Sequence, residues 1–332
     1  MSETTRAITS AGLPSRSPIL VADDFLPLEL AVGMRQDIDT HFADPGAHRA
    51  ATHQVWNYWF VPELYTYLRT TPEKIIRRDR VDAFMRALQA WSIATLGMGN
   101  VTWPCLSLYV GGCRQGLHNH AANGRFAFVY SLTRDQRRTI GGETLVLREG
   151  DPLRGNLARA SAGAGFYDLI EPKFNRLIVF DDRLPHAVER IEGSMDPIEG
   201  RLVLHGHLSE SGTMITGALA GTVVEEALVG LLRDFAEQNS ARIALYQGPL
   251  ALRLVIGAAG SVQTCDILVD RVIHEDPHHI EWEVLRADLV NRIKGLKFPP
   301  APGETTITKP LVFGALYPVA PDSWICRFSA SA

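Results

Sequence analysis

The sequence contains no run of 18 apolar residues, no apolar N-terminal leader and no two cysteines at CxxC spacing. Without a long apolar run a membrane span is not expected, and without a leader we expect a cytoplasmic protein. Its few cysteines are scattered, which favours reduced thiols over a disulfide framework. They are Cys105, Cys113, Cys265 and Cys326.

The chain also lacks an excess of positive charge. Lysine and arginine number 33 against 37 aspartates and glutamates, so the formal net charge is −4. Binding of nucleic acid needs a basic surface to neutralise phosphates, and we therefore expect no nucleic-acid partner. Hydrophobic residues make up 46% of the sequence and charged residues 21%, a balance typical of a folded globular protein.

Hydrophobic spacing divides the 332 residues into two parts. From residue 101 apolar positions recur at every second residue in many short segments, which predicts an antiparallel sandwich or barrel. Helical spacing predicts flanking helices over 29–41 and 81–96, and after residue 210 helices and strands alternate. The expected segments are a flexible N-terminus at 1–17, a first domain at 18–210, a linker with a helix at 211–244 and a small α+β domain at 245–332.

Two histidines mark the first candidate site. His118 and His120 are separated by one residue, and positions i and i+2 of a strand point to the same face. His186 can join them from a distant strand, and three imidazoles can bind Fe(II), Zn or Cu. Arg201 opens a later apolar strand, and its guanidinium suits a carboxylate ligand. This pattern predicts a metal site beside an anion site.

Further polar and aromatic residues are candidates for the same site. His205 and His207 share a face with Arg201 by the period of two, so they either line the substrate side or are buried polar residues with satisfied hydrogen bonds. Trp56 belongs to an aromatic stretch over residues 53–69. That stretch is either a core element or a wall that packs a substrate.

Seven short motifs stand in the order of one known family. Over residues 18–208 the chain resembles the prolyl-hydroxylase branch of the 2-oxoglutarate/Fe(II) dioxygenases. The motifs are Asp-Asp-Phe-Leu-Pro (23–27), Tyr109 with Gly111-Gly112 and His118, Asn-Gly-Arg (123–125), Gly-Gly-Glu-Thr (141–144), Ile-Glu-Pro-Lys-Phe-Asn-Arg-Leu-Ile-Val-Phe (170–180), Pro185-His186 and Gly200-Arg201.

The resemblance implies a mainly β, double-stranded β-helix (jelly-roll) fold and an enzyme that uses Fe(II) with 2-oxoglutarate as co-substrate. It implies that His118 and His186 are iron ligands, that Arg201 binds the far carboxylate of 2-oxoglutarate, and that Tyr109 lines the same pocket. The expected reaction is hydroxylation of an unactivated C–H bond, on an amino-acid side chain of a peptide or protein or on a metabolite.

One residue departs from the family pattern. His120 stands where the family has an aspartate ligand. We favour ligation by His120, because an imidazole at position i+2 can reach the same ion. Two alternatives stay open: a three-histidine iron dioxygenase that does not use 2-oxoglutarate, and a catalytically inactive protein that uses the pocket for ligand binding or as a scaffold.

A second resemblance covers residues 245–318. This part is similar to the C-terminal domain of TonB-like energy transducers, most specifically at Phe-Pro-Pro-Ala-Pro-Gly (298–303). Domains of that kind bind partners through sheet edges and pair with one another. The resemblance implies a homodimer or a docking partner, and we expect no membrane association.

Overall fold

The computed structural model describes residues 17–44, 55–120, 123–135, 138–147, 167–274 and 281–314. Residues 1–16 of the N-terminus that we expect to be flexible lie outside these ranges. None of the helices in the described ranges is both long and apolar enough to cross a membrane.

The described ranges contain five α-helices and nineteen strands. The helices are α1 Leu28–Ala43, α2 Arg78–Leu96, α3 Gly221–Gln238, α4 Ser240–Ile243 and α5 Glu281–Lys294. The strands are β1 Ile19–Ala22, β2 Asn57–Val61, β3 Tyr65–Thr70, β4 Asn100–Val101, β5 Cys105–Tyr109, β6 Arg114–His118, β7 Phe126–Ser131, β8 Thr139–Ile140, β9 Thr144–Leu147, β10 Tyr167–Ile170, β11 Leu177–Asp181, β12 His186–Val188, β13 Glu192–Gly193, β14 Arg201–Ser209, β15 Met214–Gly217, β16 Tyr246–Ile256, β17 Val262–Asp270, β18 Ile273–His274 and β19 Thr305–Phe313.

Most of the first-domain strands form one large antiparallel sheet that curls on itself. Its order over the described residues is β1-β11-β7-β14-β5-β3-β6-β12-β9-β10, with β2 paired to β3 and β4 to β14. The halves β11-β7-β14-β5 and β6-β12-β9-β10 both line one cavity, and the chain crosses repeatedly from one half to the other. This is the strand order of a jelly-roll or double-stranded β-helix, so the predicted fold class is confirmed.

Strand β14 shows how the period of two builds both faces of this sheet. Leu202 and Leu204 are fully buried in the core that the sheet shares with α1 and α2. On the opposite face Arg201, Val203 and His205 line the cavity. A strand must alternate in this way when one face packs on helices and the other faces a binding site.

The two long helices of the first domain cover the outer face of the sheet. Their fully buried core residues include Met34 and Ile38 of α1 and Phe84 and Leu88 of α2. Helix α2 is capped at its C-terminus by Gly97, whose φ of 67° is the left-handed conformation common at this position. The helices therefore support the sheet from outside and leave its inner face to the site.

A second sheet with its own core follows. Over the described residues its order is β15-β19-β16-β17, with β18 paired to β16. Helices α3 and α5 pack on it through Val224, Leu228, Leu285 and Leu289. The segment that we assign to a linker and helix thus supplies β15 and α3 to this unit. The unit is α+β, as expected, while its resemblance to the TonB domain and its exact limits stay predictions.

The cysteines differ in state. Cys113 and Cys265 are free and buried, and burial raises the pKa of Cys265 to about 11. Cys105 is disulfide-bonded. Among the described cysteines, the expectation of reduced thiols therefore holds for Cys113 and Cys265 and is wrong for Cys105.

Candidate metal centre

A cavity of about 250 Å³ lies between the two halves of the large sheet. It is lined by strands β2, β3, β5, β6, β7, β9, β11, β12 and β14, so its wall is built from segments far apart in the sequence. None of the described residues that line it is an aspartate or a glutamate. The lining residues that carry polar or aromatic chemistry are Trp59, Tyr65, Tyr67, Arg69, Tyr109, Gln115, His118, His120, Thr144, His186, Arg201, His205 and His207.

Three of the predicted histidines converge in this cavity. The antiparallel pairing of β12 with β6 sets His186 directly opposite His118. One ring nitrogen from each of His118, His120 and His186 lies within 4.8 Å of the others. Three imidazole nitrogens at this mutual distance can converge on one metal ion, and imidazole suits Fe, Zn and Cu. The donor set therefore fits the group that the family resemblance implies.

Backbone carbonyls orient two of these rings. Nδ1 of His118 lies 2.7 Å from the carbonyl oxygen of Gly116, and Nδ1 of His186 lies 3.0 Å from that of Leu184. An Nδ1–H that donates to a carbonyl leaves the lone pair on Nε2. Metal-binding histidines are commonly held in this way, because the bond selects the tautomer and fixes the ring.

His120 is held differently. It follows the end of β6, and its backbone N–H donates to the carbonyl oxygen of Asp182 at 3.2 Å. The side-chain amide nitrogen of Asn123 lies 3.3 Å from Nδ1 of His120. Its ring centroid is 4.5 Å from that of His118 and 5.3 Å from that of His186. The ring thus lies with the other two, but an amide rather than a carbonyl contacts its Nδ1.

The environment keeps these imidazoles uncharged at neutral pH. Burial lowers the pKa of His118 and, to a larger extent, that of His120, and the neighbouring histidines add to the effect. Burial and the proximity of His118 lower the pKa of His186 to about 3. A neutral imidazole is the form that binds a metal, because the ligand needs a free lone pair.

Arg201 lies at the other side of the same cavity. It is only 2% exposed, and its Nη2 donates to Oγ1 of Thr144 at 3.0 Å. Its guanidinium carbon is 4.9 Å from the ring centroid of Tyr109. The Tyr109 hydroxyl donates to Oε1 of Gln115 at 3.0 Å, and burial raises the pKa of Tyr109. Arg201 therefore brings a fixed positive charge to a cavity whose described lining residues include no carboxylate.

A hydrogen-bonded side chain links the arginine side to the histidines. The side-chain amide of Gln115, which accepts from Tyr109, also lies 3.1 Å from Nε2 of His118. An amide nitrogen can only donate in this contact, so it uses the lone pair that a metal ion would take. Binding of a metal by His118 therefore requires Gln115 to give up this bond.

The remaining histidines of β14 also face the cavity, each with its own partner. Nε2 of His205 is 2.8 Å from Oγ of Ser107. Nδ1 of His207 donates to Oδ2 of Asp182 at 2.6 Å, and Asp182 is fully buried. Both histidines share the face of Arg201, as the period of two predicts, and both have satisfied polar contacts.

The structure places one predicted residue outside the cavity. Trp56 packs on Phe42, with ring centroids 5.9 Å apart, and its Nε1 donates to Nε2 of His41 at 3.3 Å. The aromatic residue of this stretch that lines the cavity is Trp59. The expectation for Trp56 is therefore corrected: on β2 the face of Trp59 turns inward, while Trp56 precedes the strand and packs against α1.

Sequence reasoning did not single out two residues that the structure brings to the site. Both Arg69 and Gln115 line the cavity. Gln115 lies three residues before His118, a spacing that a regular strand would place on the opposite face, and the irregular register of β12 on β6 accompanies its position beside His118, so the period of two did not predict it. Arg69 carried no signal, because its position depends on β3 inserting between β5 and β6.

The fold is similar to several solved structures at low sequence identity. A prolyl hydroxylase from Trichoplax adhaerens, in complex with a hypoxia inducible factor oxygen degradation domain peptide fragment, is 13% identical with a TM-score of 0.42, covering 57% of this chain and 81% of that chain. A prolyl-4-hydroxylase from Pseudomonas putida is 17% identical with a TM-score of 0.42, covering 58% and 93%.

A third solved structure is the non-heme alpha-ketoglutarate-dependent epimerase SnoN from nogalamycin biosynthesis. It is 13% identical with a TM-score of 0.40, covering 59% of this chain and 80% of that chain. No protein-family model matches the sequence, and no curated protein matches it either. Likenesses of this strength do not assign an activity to the chain.

Proposed function

We propose that this protein is an Fe(II)- and 2-oxoglutarate-dependent oxygenase that hydroxylates an unactivated C–H bond. His118, His120 and His186 bind the metal, and Arg201 binds the far carboxylate of the keto acid. The observation that carries the proposal is one cavity that holds three converging neutral imidazoles and a buried arginine. Together with the seven ordered motifs, this set fits an oxygenase better than a plain metal-binding protein.

In this proposal the histidines bind the metal and Arg201 with Thr144 binds the keto acid. When bound, Fe(II) supplies the redox chemistry that couples conversion of 2-oxoglutarate and dioxygen to succinate and carbon dioxide with C–H hydroxylation. The carbonyl bonds of His118 and His186 fix the rings so that Nε2 is the atom that binds the metal, and at His118 the Gln115 amide gives up its place to the metal. Arg201 and Thr144 orient the keto acid, since a guanidinium binds a carboxylate through two parallel bonds.

The substrate is an amino-acid side chain of a peptide or protein, or a metabolite. The cavity of about 250 Å³ has room for the keto acid and for only a small reacting group beside it. The second unit, which we expect to mediate dimerisation or docking of a partner, is a candidate for presenting a larger substrate.

The test is spectroscopic. Anaerobic addition of Fe(II) and 2-oxoglutarate to the purified protein is expected to give a metal-to-ligand charge-transfer band. Admission of air is then expected to start a reaction that produces succinate. Arg201→Met, which keeps the volume but removes the charge, should weaken the band while the iron content stays unchanged. An exposed arginine on β6, changed in Arg114→Gln, is the matched control and should behave as the wild type. A wild-type protein that shows no band refutes the proposal.

The three-histidine donor set favours a second candidate, an iron dioxygenase that needs no keto acid. Replacing a carboxylate ligand by a neutral imidazole raises the charge of the site by one, which alters its affinity for anions. Arg201 discriminates between the two candidates, because Arg201→Met should abolish a 2-oxoglutarate-dependent activity and should not affect one that uses no keto acid.

A further inference from the structure

Arg69 brings a second guanidinium into the cavity. It lies on β3, is half-buried, and its guanidinium carbon is 4.1 Å from the ring centroid of Trp59. A guanidinium stacked on an indole face is held in orientation by the cation–π contact, while its N–H groups stay free to donate at the edge. The stacking therefore presents Arg69 to the cavity as a preorganised donor.

No carboxylate in the described part of the chain pairs with Arg69. Several other arginines of the same unit do have one. Such pairs are Arg80–Asp37, Arg125–Glu210 and Arg176–Asp23, at 2.6, 2.6 and 2.5 Å. A half-buried cation without a counter-charge is costly, and an anionic ligand is one means of compensating it.

The groups that face Arg69 are uncharged. Burial raises the pKa of Tyr67 and of Tyr109, so both hydroxyls stay protonated at neutral pH. Burial, and next to it the charge of Arg69, hold the pKa of His205 well below its ordinary value. The cavity thus carries two fixed positive charges, from Arg69 and Arg201, and no described lining residue is acidic.

The two arginines lie on different strands. In the register of the sheet, Arg69 on β3 lies opposite Ser107 on β5. Ser107 in turn lies opposite Val203 on β14, two residues after Arg201. Two strand spacings separate the backbones of Arg69 and Val203 by about 10 Å. Arg69 and Arg201 therefore enter the cavity from separate strands, and each guanidinium can bind a carboxylate of its own.

We propose that Arg69, seated on Trp59, binds a carboxylate of the substrate that is oxidised, so that this substrate is an organic acid. This inference rests on the proposed function, because there Arg201 is assigned to the keto acid. Arg69 then determines specificity: it selects an acid over the corresponding amide and fixes which carbon faces the metal centre.

The test measures binding of small acids and their amides to the protein loaded with Fe(II) and 2-oxoglutarate under anaerobic conditions. The first pair of probes is butyrate and butyramide, and the second is acetyl-diglycine and acetyl-diglycinamide. Saturation-transfer NMR measures the binding of all four. The acid of at least one pair is expected to bind, and its amide about ten- to hundredfold more weakly. Binding of butyrate indicates a small free acid, and binding of acetyl-diglycine alone indicates a peptide C-terminus.

Matched variants identify the residue. Arg69→Gln should remove the preference for the acid, Arg69→Lys should retain part of it, and Arg114→Gln should leave it intact. The inference is overturned if neither acid binds, if the wild type binds acid and amide equally, or if Arg69→Gln keeps the preference. The charge-transfer band is recorded on the same samples. A band without acid binding refutes only the role of Arg69, whereas acid binding that depends on Arg69 without a band refutes only the proposed oxygenase.

Discussion

At the scale of single residues, charge distinguishes this centre from the family that the sequence resembles. His118, His120 and His186 converge as three neutral imidazoles, where the family pattern contains one carboxylate. A metal ion held by them keeps its full double positive charge, since no ligand neutralises it. Together with Arg69 and Arg201, the site should favour anionic ligands strongly.

The role of His120 is tested by two substitutions. His120→Ala should weaken the binding of Fe(II), or of Co(II) as its spectroscopic substitute, by at least about tenfold, because one of three donors is lost. His120→Asp should retain the metal, because a carboxylate is also a ligand for Fe(II). Metal affinity is measured by titration in competition with a chromogenic chelator.

A histidine outside the cavity provides the control. His41 on α1 contacts Trp56, and His41→Ala should leave metal affinity unchanged. Equal metal affinity in His120→Ala and in the wild type would show that His120 is not a ligand. A metal-free wild type that gains iron and activity in His120→Asp would instead identify the native protein as a binder.

At the scale of elements, strand β14 joins the core to the site. Its outward residues Leu202 and Leu204 pack under α1 and α2, and its inward residues line the cavity. Between the inward residues His205 and His207, the outward position is taken by Gly206, which has no side chain. A Cβ atom at Gly206 would lie 2.6 Å from Oγ1 of Thr102 and 2.8 Å from the Phe128 ring.

This close approach predicts the effect of a methyl group. Gly206→Ala should lower the free energy of unfolding by about 1–3 kcal/mol, because Phe128 is fully buried and has little room to move. Chemical denaturation measures the loss. Gly212→Ala is the matched control, since a Cβ atom at Gly212 meets nothing within 4 Å and its φ is not in the left-handed region. Equal stability of the two variants would contradict the packing argument.

At the scale of the whole molecule, a buried ion cluster joins the two units next to the candidate metal centre. Asp181 is 1% exposed and accepts from Arg183 at 2.6 Å and from Arg271 of the second unit at 3.0 Å. Arg183 also donates to the carbonyl oxygen of Arg271 at 2.7 Å. Because His186 follows five residues after Asp181, docking of the second unit is expected to steady the segment that carries this histidine.

The cluster makes stability depend on pH. Burial alone would raise the pKa of Asp181, but Arg183 and Arg271 outweigh it and hold the pKa below its ordinary value. A carboxyl whose pKa is lower in the folded state stabilises the fold fully at any pH above its unfolded pKa of about 3.9. This contribution is lost as the pH falls through the pKa of the folded state. The wild type should therefore lose stability as the pH falls below about 4.

Asp181→Asn tests this dependence. It should lower the free energy of unfolding at neutral pH by about 3–5 kcal/mol, because it leaves buried arginines without a counter-charge. It should also flatten the acid limb of the stability curve. Asp266 is exposed on β17, and Asp266→Asn should match the wild type in both respects. Denaturant unfolding curves recorded over a range of pH measure both the free energy of unfolding and its dependence on pH. An unchanged acid limb in Asp181→Asn would exclude Asp181 as its source.

The sequence by itself determined whatever depends on neighbours along the chain. The period of two predicted that His118 and His120 share a face and that Arg201, His205 and His207 line one side of β14. Helical spacing predicted α1 and α2 to within three residues at each end. These features follow from local backbone geometry, which repeats every two or 3.6 residues whatever the rest of the chain does.

Only the tertiary structure decided which distant residues meet. The register of β12 on β6 sets His186 against His118, and the insertion of β3 between β5 and β6 brings Arg69 into the cavity. For the same reason Trp59 lines the cavity and Trp56 does not, and Asp182 holds His207. Strand pairing is chosen by long-range packing of the whole chain, and a shift of one residue would turn each of these side chains to the other face.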